Sequence, residues 1–165
     1  MKPILVIACG NPLRGDDGVA WEVARALGDS ALAAGGGEIE ILAVHQLTPE
    51  LADGVSRAET VIFVDAGVDA GARAGEILLR EVEIEPASVV RRSEFSHSVG
   101  PAELMAVARE IYGRAPANAF LLTINGGAFE ICEMLSEPAR RAIPCAVEEI
   151  ETLCRHSLRV GEFAR

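Results

Sequence analysis

Ile4-Leu5-Val6-Ile7-Ala8-Cys9, followed at once by Gly10-Asn11-Pro12-Leu13-Arg14-Gly15-Asp16-Asp17-Gly18 and then by Val19, Val23, Ala26 and Leu27 at helical spacing, decides the fold. The apolar run stops at a Gly-Asn-Pro turn, as a buried strand does. The positions after the loop put one apolar stripe on a helix. The loop itself carries two adjacent carboxylates between the end of a strand and the mouth of a helix. In open α/β sheets that edge is where ligands sit.

The same alternation runs outward along the chain. Strands are predicted over Lys2–Cys9, Glu38–Val44, Thr60–Asp65, Gly75–Glu81 and Asn118–Ile124, and helices over Asp17–Leu27, Pro49–Ala58, Val99–Tyr112 and Glu137–Arg155. This order implies a mostly parallel sheet of about five strands with helices on both faces. Val61-Ile62-Phe63-Val64 is continuously apolar, as a central strand should be. Gly75–Glu81 follows the third strand with no intervening helix. It is expected to run antiparallel at an edge, closing a hairpin over the Gly67–Gly75 loop. Thr48 reads as an N-cap with Pro49 at the first helical position. Pro144 should kink the last helix or break its first turn, and the tail after His156 is expected to fray, leaving an ordered part of about residues 2–155.

With 165 residues, half of them apolar, the chain reads as a single α/β domain, 1–165, with enough material for a core. The net charge of −10 leaves no basic footprint for nucleic acid and opposes anionic membrane surfaces. Val6-Ile7-Ala8-Cys9 has the look of a lipoprotein box, but the apolar segment is at the short limit and a turn follows. It reads as a strand, with no targeting segment expected. Cys9, Cys132, Cys145 and Cys154 form no CxxC pair, so reduced thiols and a cytoplasmic protein are expected. Cys145 and Cys154 should lie on opposite faces of the last helix. Gly35-Gly36-Gly37 precedes a strand and so is a loop, not a phosphate cradle.

Three polar residues occupy comparable places. Asp17 follows the first strand, Asp65 ends the third, and His97 lies in Ser96-His97-Ser98-Val99-Gly100-Pro101 just before a helix. In a parallel sheet the two carboxylates share the carboxyl edge, and His97 reaches it if its helix starts there. Two carboxylates and an imidazole, with open positions for water or substrate, suit a divalent transition ion such as zinc or nickel. Each also has a plainer reading: a helix cap for either acid of the Asp16-Asp17 pair, a turn residue for Asp65, a surface loop histidine for His97. A Cys9–His97 dyad would need Cys9 exposed beside an activating base, and a small buried residue at a strand end is the plainer reading. His45 could line the same edge as a substrate contact. Ser56, Ser93 and Ser96 lack the context of a hydrolase elbow.

At these residues the chain resembles the nickel–iron (NiFe) hydrogenase maturation proteases. The matching pieces are Gly10–Gly18, Val61-Ile62-Phe63-Val64-Asp65-Ala66, Ser96-His97, and Phe129-Glu130 with Leu135-Ser136, in order over most of the chain. Ala8 stands where the family usually has glycine, as does Ala20, and Ile131-Cys132 replaces a glycine-containing stretch. The resemblance implies a three-layer α/β/α sandwich with a twisted, mixed sheet. It also implies an endopeptidase that removes the C-terminal extension of a hydrogenase large-subunit precursor once nickel has been inserted. Asp17, Asp65 and His97 match the family's nickel contacts.

The nickel then belongs to the substrate, although other divalent transition ions fit the same donors. Three roles stay open: a checkpoint that senses the loaded metal, a metal that polarises the scissile carbonyl or activates water, and Asp16 as the water-activating base. Segments 45–50 and 126–130 are the candidates for substrate specificity, and a monomer is expected. The rival from another class is a non-catalytic metal-binding factor that holds the nickel-loaded subunit without cutting it. A remoter one is an anion-binding α/β domain, which the acidic pair opposes.

Overall fold

A computed structural model describes residues 3–30, 32, 37–84 and 99–163 of the chain. The elements run β1 (Ile4–Cys9), a 3-10 turn (Gly15–Gly18), α1 (Val19–Gly28), β2 (Ile39–Val44), a second 3-10 turn (Pro49–Leu51), α2 (Ala52–Arg57), β3 (Thr60–Gly67), β4 (Ile77–Glu81), α3 (Pro101–Tyr112), β5 (Asn118–Asn125) and α4 (Glu137–Phe163). The five strands form one sheet in the order β2-β1-β3-β5-β4. The first four are parallel, and β4 joins β5 antiparallel. The expected mixed α/β sheet with helices on both faces is what forms.

Alternation along the strands divides the core in two. Ile4, Val6, Ala8, Ile62, Val64, Leu122 and Ile124 face α1 and α4. Leu5, Ile7, Val61, Phe63 and Leu121 face α2 and α3. Both sides of β1 and β3 are therefore covered, which is why these strands read as unbroken apolar runs.

One expectation about the sheet is corrected. Gly75–Glu81 does supply an antiparallel edge strand, but β4 forms no hairpin with β3. β5 lies between them, pairing with β3 from Thr60↔Asn118 to Gly67↔Asn125. The apolar β3 needs a neighbour on each side, whereas β4, with Leu78, Leu79, Arg80 and Glu81 exposed, tolerates an edge.

Three helix boundaries also differ from the sequence reading. The first two helices each begin as a 3-10 turn; Thr48 is the N-cap before Pro49, as expected, though without a side-chain capping bond, and neither Asp16 nor Asp17 caps a helix through its side chain. Pro144 sits exposed inside α4 without ending it. The helix continues past Arg155 to Phe163. Leu158 packs on the core there, and the Thr60 hydroxyl lies 3.3 Å from that of Ser157. On α4, Cys145 is exposed and Cys154 buried, as their spacing predicts. Among the described residues no helix is long and apolar enough to cross a membrane.

Candidate functional site

The first turn is built so that Asp17 returns to the end of β1. Gly10 has φ +148°, and a Cβ there would come within 2.0 Å of the Asp17 carbonyl oxygen. Only glycine fits that approach. Asn11 then donates its backbone N–H to Asp17 Oδ2 at 2.9 Å, while its own Oδ1 accepts the N–H of Leu13 at 2.9 Å. The Asp17 carboxylate is thereby fixed at the carboxyl edge of the sheet.

Asp65, in the last turn of β3, shares the face of Val61 and Phe63. Its carboxyl is pushed up to about 6: burial raises it most, the backbone N–H of Ala66 lowers it, and the charge of Asp17 raises it further. The Cys9 thiol is pushed up to about 11 by burial, then by the charge of Asp65, with Asp17 adding to it. The two carboxylates and the thiol thus sense one another, as the expected site requires of the acids. Neither acid is in an ion pair with a basic side chain among the described residues. A group of negative charge without a counter-ion is where a divalent cation gains most. Burial and the two acids thus favour the protonated thiol of Cys9, against the thiolate a Cys9–His97 dyad would use.

Asp16 has a different part from the catalytic base entertained above. It is fully buried. Its Oδ2 accepts the backbone N–H groups of Gly127 at 2.8 Å and Ala128 at 3.0 Å and the Ser136 hydroxyl at 2.8 Å, while Oδ1 accepts the Ser136 N–H at 2.7 Å. Burial would raise its pKa, but these bonds outweigh burial and hold the carboxyl below its ordinary value. An acid so occupied and so weakly basic is poorly placed to take a proton from water. It works instead as a tether. Gly15 and Cys132 complete the clasp, through Gly15 N–H to the Cys132 carbonyl at 2.6 Å and Cys132 N–H to the Leu13 carbonyl at 3.0 Å. The Asp17 loop and segment 126–136 therefore form one unit.

The opposite flank is closed by Trp21. Its indole N–H donates to the carbonyls of Gly10 at 2.9 Å and Val44 at 3.2 Å, joining the ends of β1 and β2. Its ring lies 5.1 Å from that of His45, which is exposed at this edge. Val99 donates to the Leu47 carbonyl at 3.1 Å, bringing the start of α3 to the same edge. His97, with Ser96 and Ser93, lies outside the described residues. Among the described residues no three His, Cys, Asp or Glu side chains gather as a metal-holding group.

Two residues that the sequence reading passed over also shape this edge. Ser136 was quoted only as part of a motif, yet it gives Asp16 half of its hydrogen bonds. Asn125, buried at the end of β5, ties down the loop after β3. It accepts the Asp69 N–H at 2.8 Å and donates to the carbonyls of Asp69, Ala72 and Arg73 at 3.0–3.3 Å. Its signal in the sequence is a polar residue before Gly126-Gly127 at the end of a parallel strand, the position that also singles out Asp65.

No family model and no curated protein matches the sequence. Solved structures do. A hydrogenase maturating endopeptidase from E. coli superposes with a TM-score of 0.75 at 22% identity, covering 95% of this chain and 94% of its own. A hydrogenase 2 maturation peptidase from a Thaumarchaeota archaeon gives 0.68 at 25% identity, covering 92% of this chain and 98% of its own. A NiFe hydrogenase maturation protease from Thermococcus kodakarensis gives 0.65 at 23% identity, covering 93% of this chain and 99% of its own. The chain thus has the fold of the hydrogenase maturation endopeptidases over almost its whole length. The resemblance carried in the sequence by Gly10–Gly18 and Val61–Ala66 points to the same family.

Proposed function

We propose that the protein is a maturation endopeptidase that removes the C-terminal extension from the nickel-loaded precursor of a hydrogenase large subunit. The observation that carries this reading is the acid pair. Asp17 and Asp65 come from different elements, meet at the carboxyl edge and raise the proton affinity of that edge with no basic partner among the described residues. Fold alone does not give function; two coupled carboxylates without a basic partner support a cation-receiving edge, and the solved structures that share the fold include named hydrogenase maturation endopeptidases.

In this reading Asp17, Asp65 and His97 contact the nickel carried by the precursor. The metal fixes the precursor's active-site end, and the tail lies across the carboxyl edge. Water is the attacking group, since the Cys9 thiol is held protonated and the described residues present no serine elbow. Segments 45–50 and 126–130 flank the path of the tail, with His45, tilted against Trp21, available for contact.

The direct test incubates the purified chain with a nickel-loaded cognate precursor and follows loss of the tail by mass. Wild-type protein is expected to release it. Asp17→Ala, Asp65→Ala and His97→Ala are each expected to slow release by at least tenfold while remaining folded, since neither carboxylate is fully buried and neither is in an ion pair among the described residues. Stable binding of the precursor by wild-type protein with no cleavage would support the non-catalytic factor instead.

A further inference from the structure

Beside Asp65 the sheet carries a cavity that the reading above does not use. Register pairs Asp65 of β3 with Thr123 of β5, and Thr123 with Leu78 of β4. Pairing across a sheet keeps side chains on one face. Over this row opens a cavity of about 280 Å³, lined by Val68, Leu78, Thr123 and Arg80 and also by Asp69 and Glu76, whose carboxylates accept the backbone N–H groups of Gly71 and Arg73. Val68 and Leu78 are 79% and 59% exposed, so the space has apolar patches left uncovered among the described residues. A Cβ on Gly67 would come within 2.4 Å of Thr123 Cγ2, so the close approach of this wall depends on glycine. The loop that forms the other wall is fixed by the four hydrogen bonds of buried Asn125. The cavity is therefore preformed. Arg80 is in no ion pair among the described residues, in a chain of net charge −10.

We propose that this cavity is a substrate subsite that takes an aliphatic side chain of the precursor's extended C-terminal segment, with Arg80 meeting a carboxylate or carbonyl of the same segment. The proposal rests on the maturation-protease reading. The spacing supports a peptide. Leu78 is two strands from Asp65, about 10 Å at roughly 4.8 Å per strand, and an extended chain covers that in about three residues at roughly 3.3 Å each. The volume lies below the range typical of a whole small-molecule ligand, about 300–1,000 Å³. It suits one side chain with its adjoining backbone. Such a subsite would select the tail by sequence while the acid pair reads the metal.

The experiment uses Val68→Asp, Leu78→Asp and Arg80→Glu, all at exposed positions, with Ile111→Asp as control on an exposed apolar residue of α3. Each is assayed for tail removal from nickel-loaded cognate precursor and, separately, for binding of nickel chloride alone. Val68→Asp and Leu78→Asp are expected to raise KM about tenfold, with kcat within about twofold and nickel binding unchanged. Arg80→Glu should raise KM several-fold, and Ile111→Asp should change nothing. If Leu78→Asp fails to fold, Val68→Asp in the loop decides. Unchanged KM in both, with wild-type cleavage intact, overturns the subsite and leaves the protease standing. An equal rise with Ile111→Asp also overturns the subsite. Absence of wild-type cleavage overturns both.

Discussion

Asp65 sets function against stability within a single side chain. Its carboxyl is raised from 3.8 to about 6. Below the unfolded value, folded and unfolded chains both hold the proton, and the group is neutral in its effect. Between the two values the unfolded chain ionises first, so stability falls as pH rises, and above about 6 the full penalty remains. The shift corresponds to at most about 3 kcal/mol. Asp65→Asn should therefore stabilise the protein at neutral pH by about 1–3 kcal/mol, and the gain should vanish as pH falls below about 4. Denaturant titrations of both proteins across this range test the sign, and an asparagine variant less stable at pH 7 would refute it. The importance of Asp17 and Asp65 was legible because Asp65 follows an apolar run directly and Asp17 lies in the loop after another, and parallel strands bring their ends together. Their mutual effect on proton affinity was not legible, since it depends on burial and distance.

At the scale of elements, the strands were readable from apolar runs, yet their neighbours were not. A run of Ile-Leu-Leu-Arg-Glu announces an edge, but nothing local says whether β3 or β5 supplies the partner. The part played by Asp16 was hidden for the same reason. Its donors, Gly127, Ala128 and Ser136, lie 111–120 residues away in sequence. Adjacent acids of one loop look alike on paper, and only tertiary structure sends one to the edge and the other into the interior. Ser136 immediately precedes α4, where a carboxylate also meets the favourable end of the helix dipole. Asp16→Ala leaves three part-buried N–H groups and a hydroxyl without their acceptor. Hydrogen bonds to a charged group contribute about 1.5–3 kcal/mol each and are not additive. A loss of about 4 kcal/mol is expected, against near-neutral effects at exposed Glu130. Because the folded pKa is lowered, this contribution is present above the ordinary carboxylate range and is lost on acidification. Hydrogen exchange should show segment 126–136 opening first in the variant. Unchanged protection there would show that the tether holds nothing.

For the whole molecule, the question is whether the metal is the enzyme's or the substrate's. The described part of the site supplies two carboxylates, and His97 would bring the expected set to three, with positions left open for a second protein's donors. A site with open positions binds an ion weakly alone and firmly when a second protein completes the coordination. Linkage then makes nickel contribute binding free energy only to the loaded precursor, about 1.4 kcal/mol for each tenfold preference. Tail removal should therefore require nickel in the precursor, and nickel chloride added to the protease with a nickel-free precursor should not restore it. Asp65→Asn should narrow the preference for loaded over nickel-free precursor, because one of the three nickel contacts is weakened even though the fold is firmer. The decisive comparison is the rate of tail release from loaded and nickel-free precursor at equal concentration. Equal rates would reject the checkpoint. Rescue of the nickel-free precursor by free nickel would instead assign the metal to the protease.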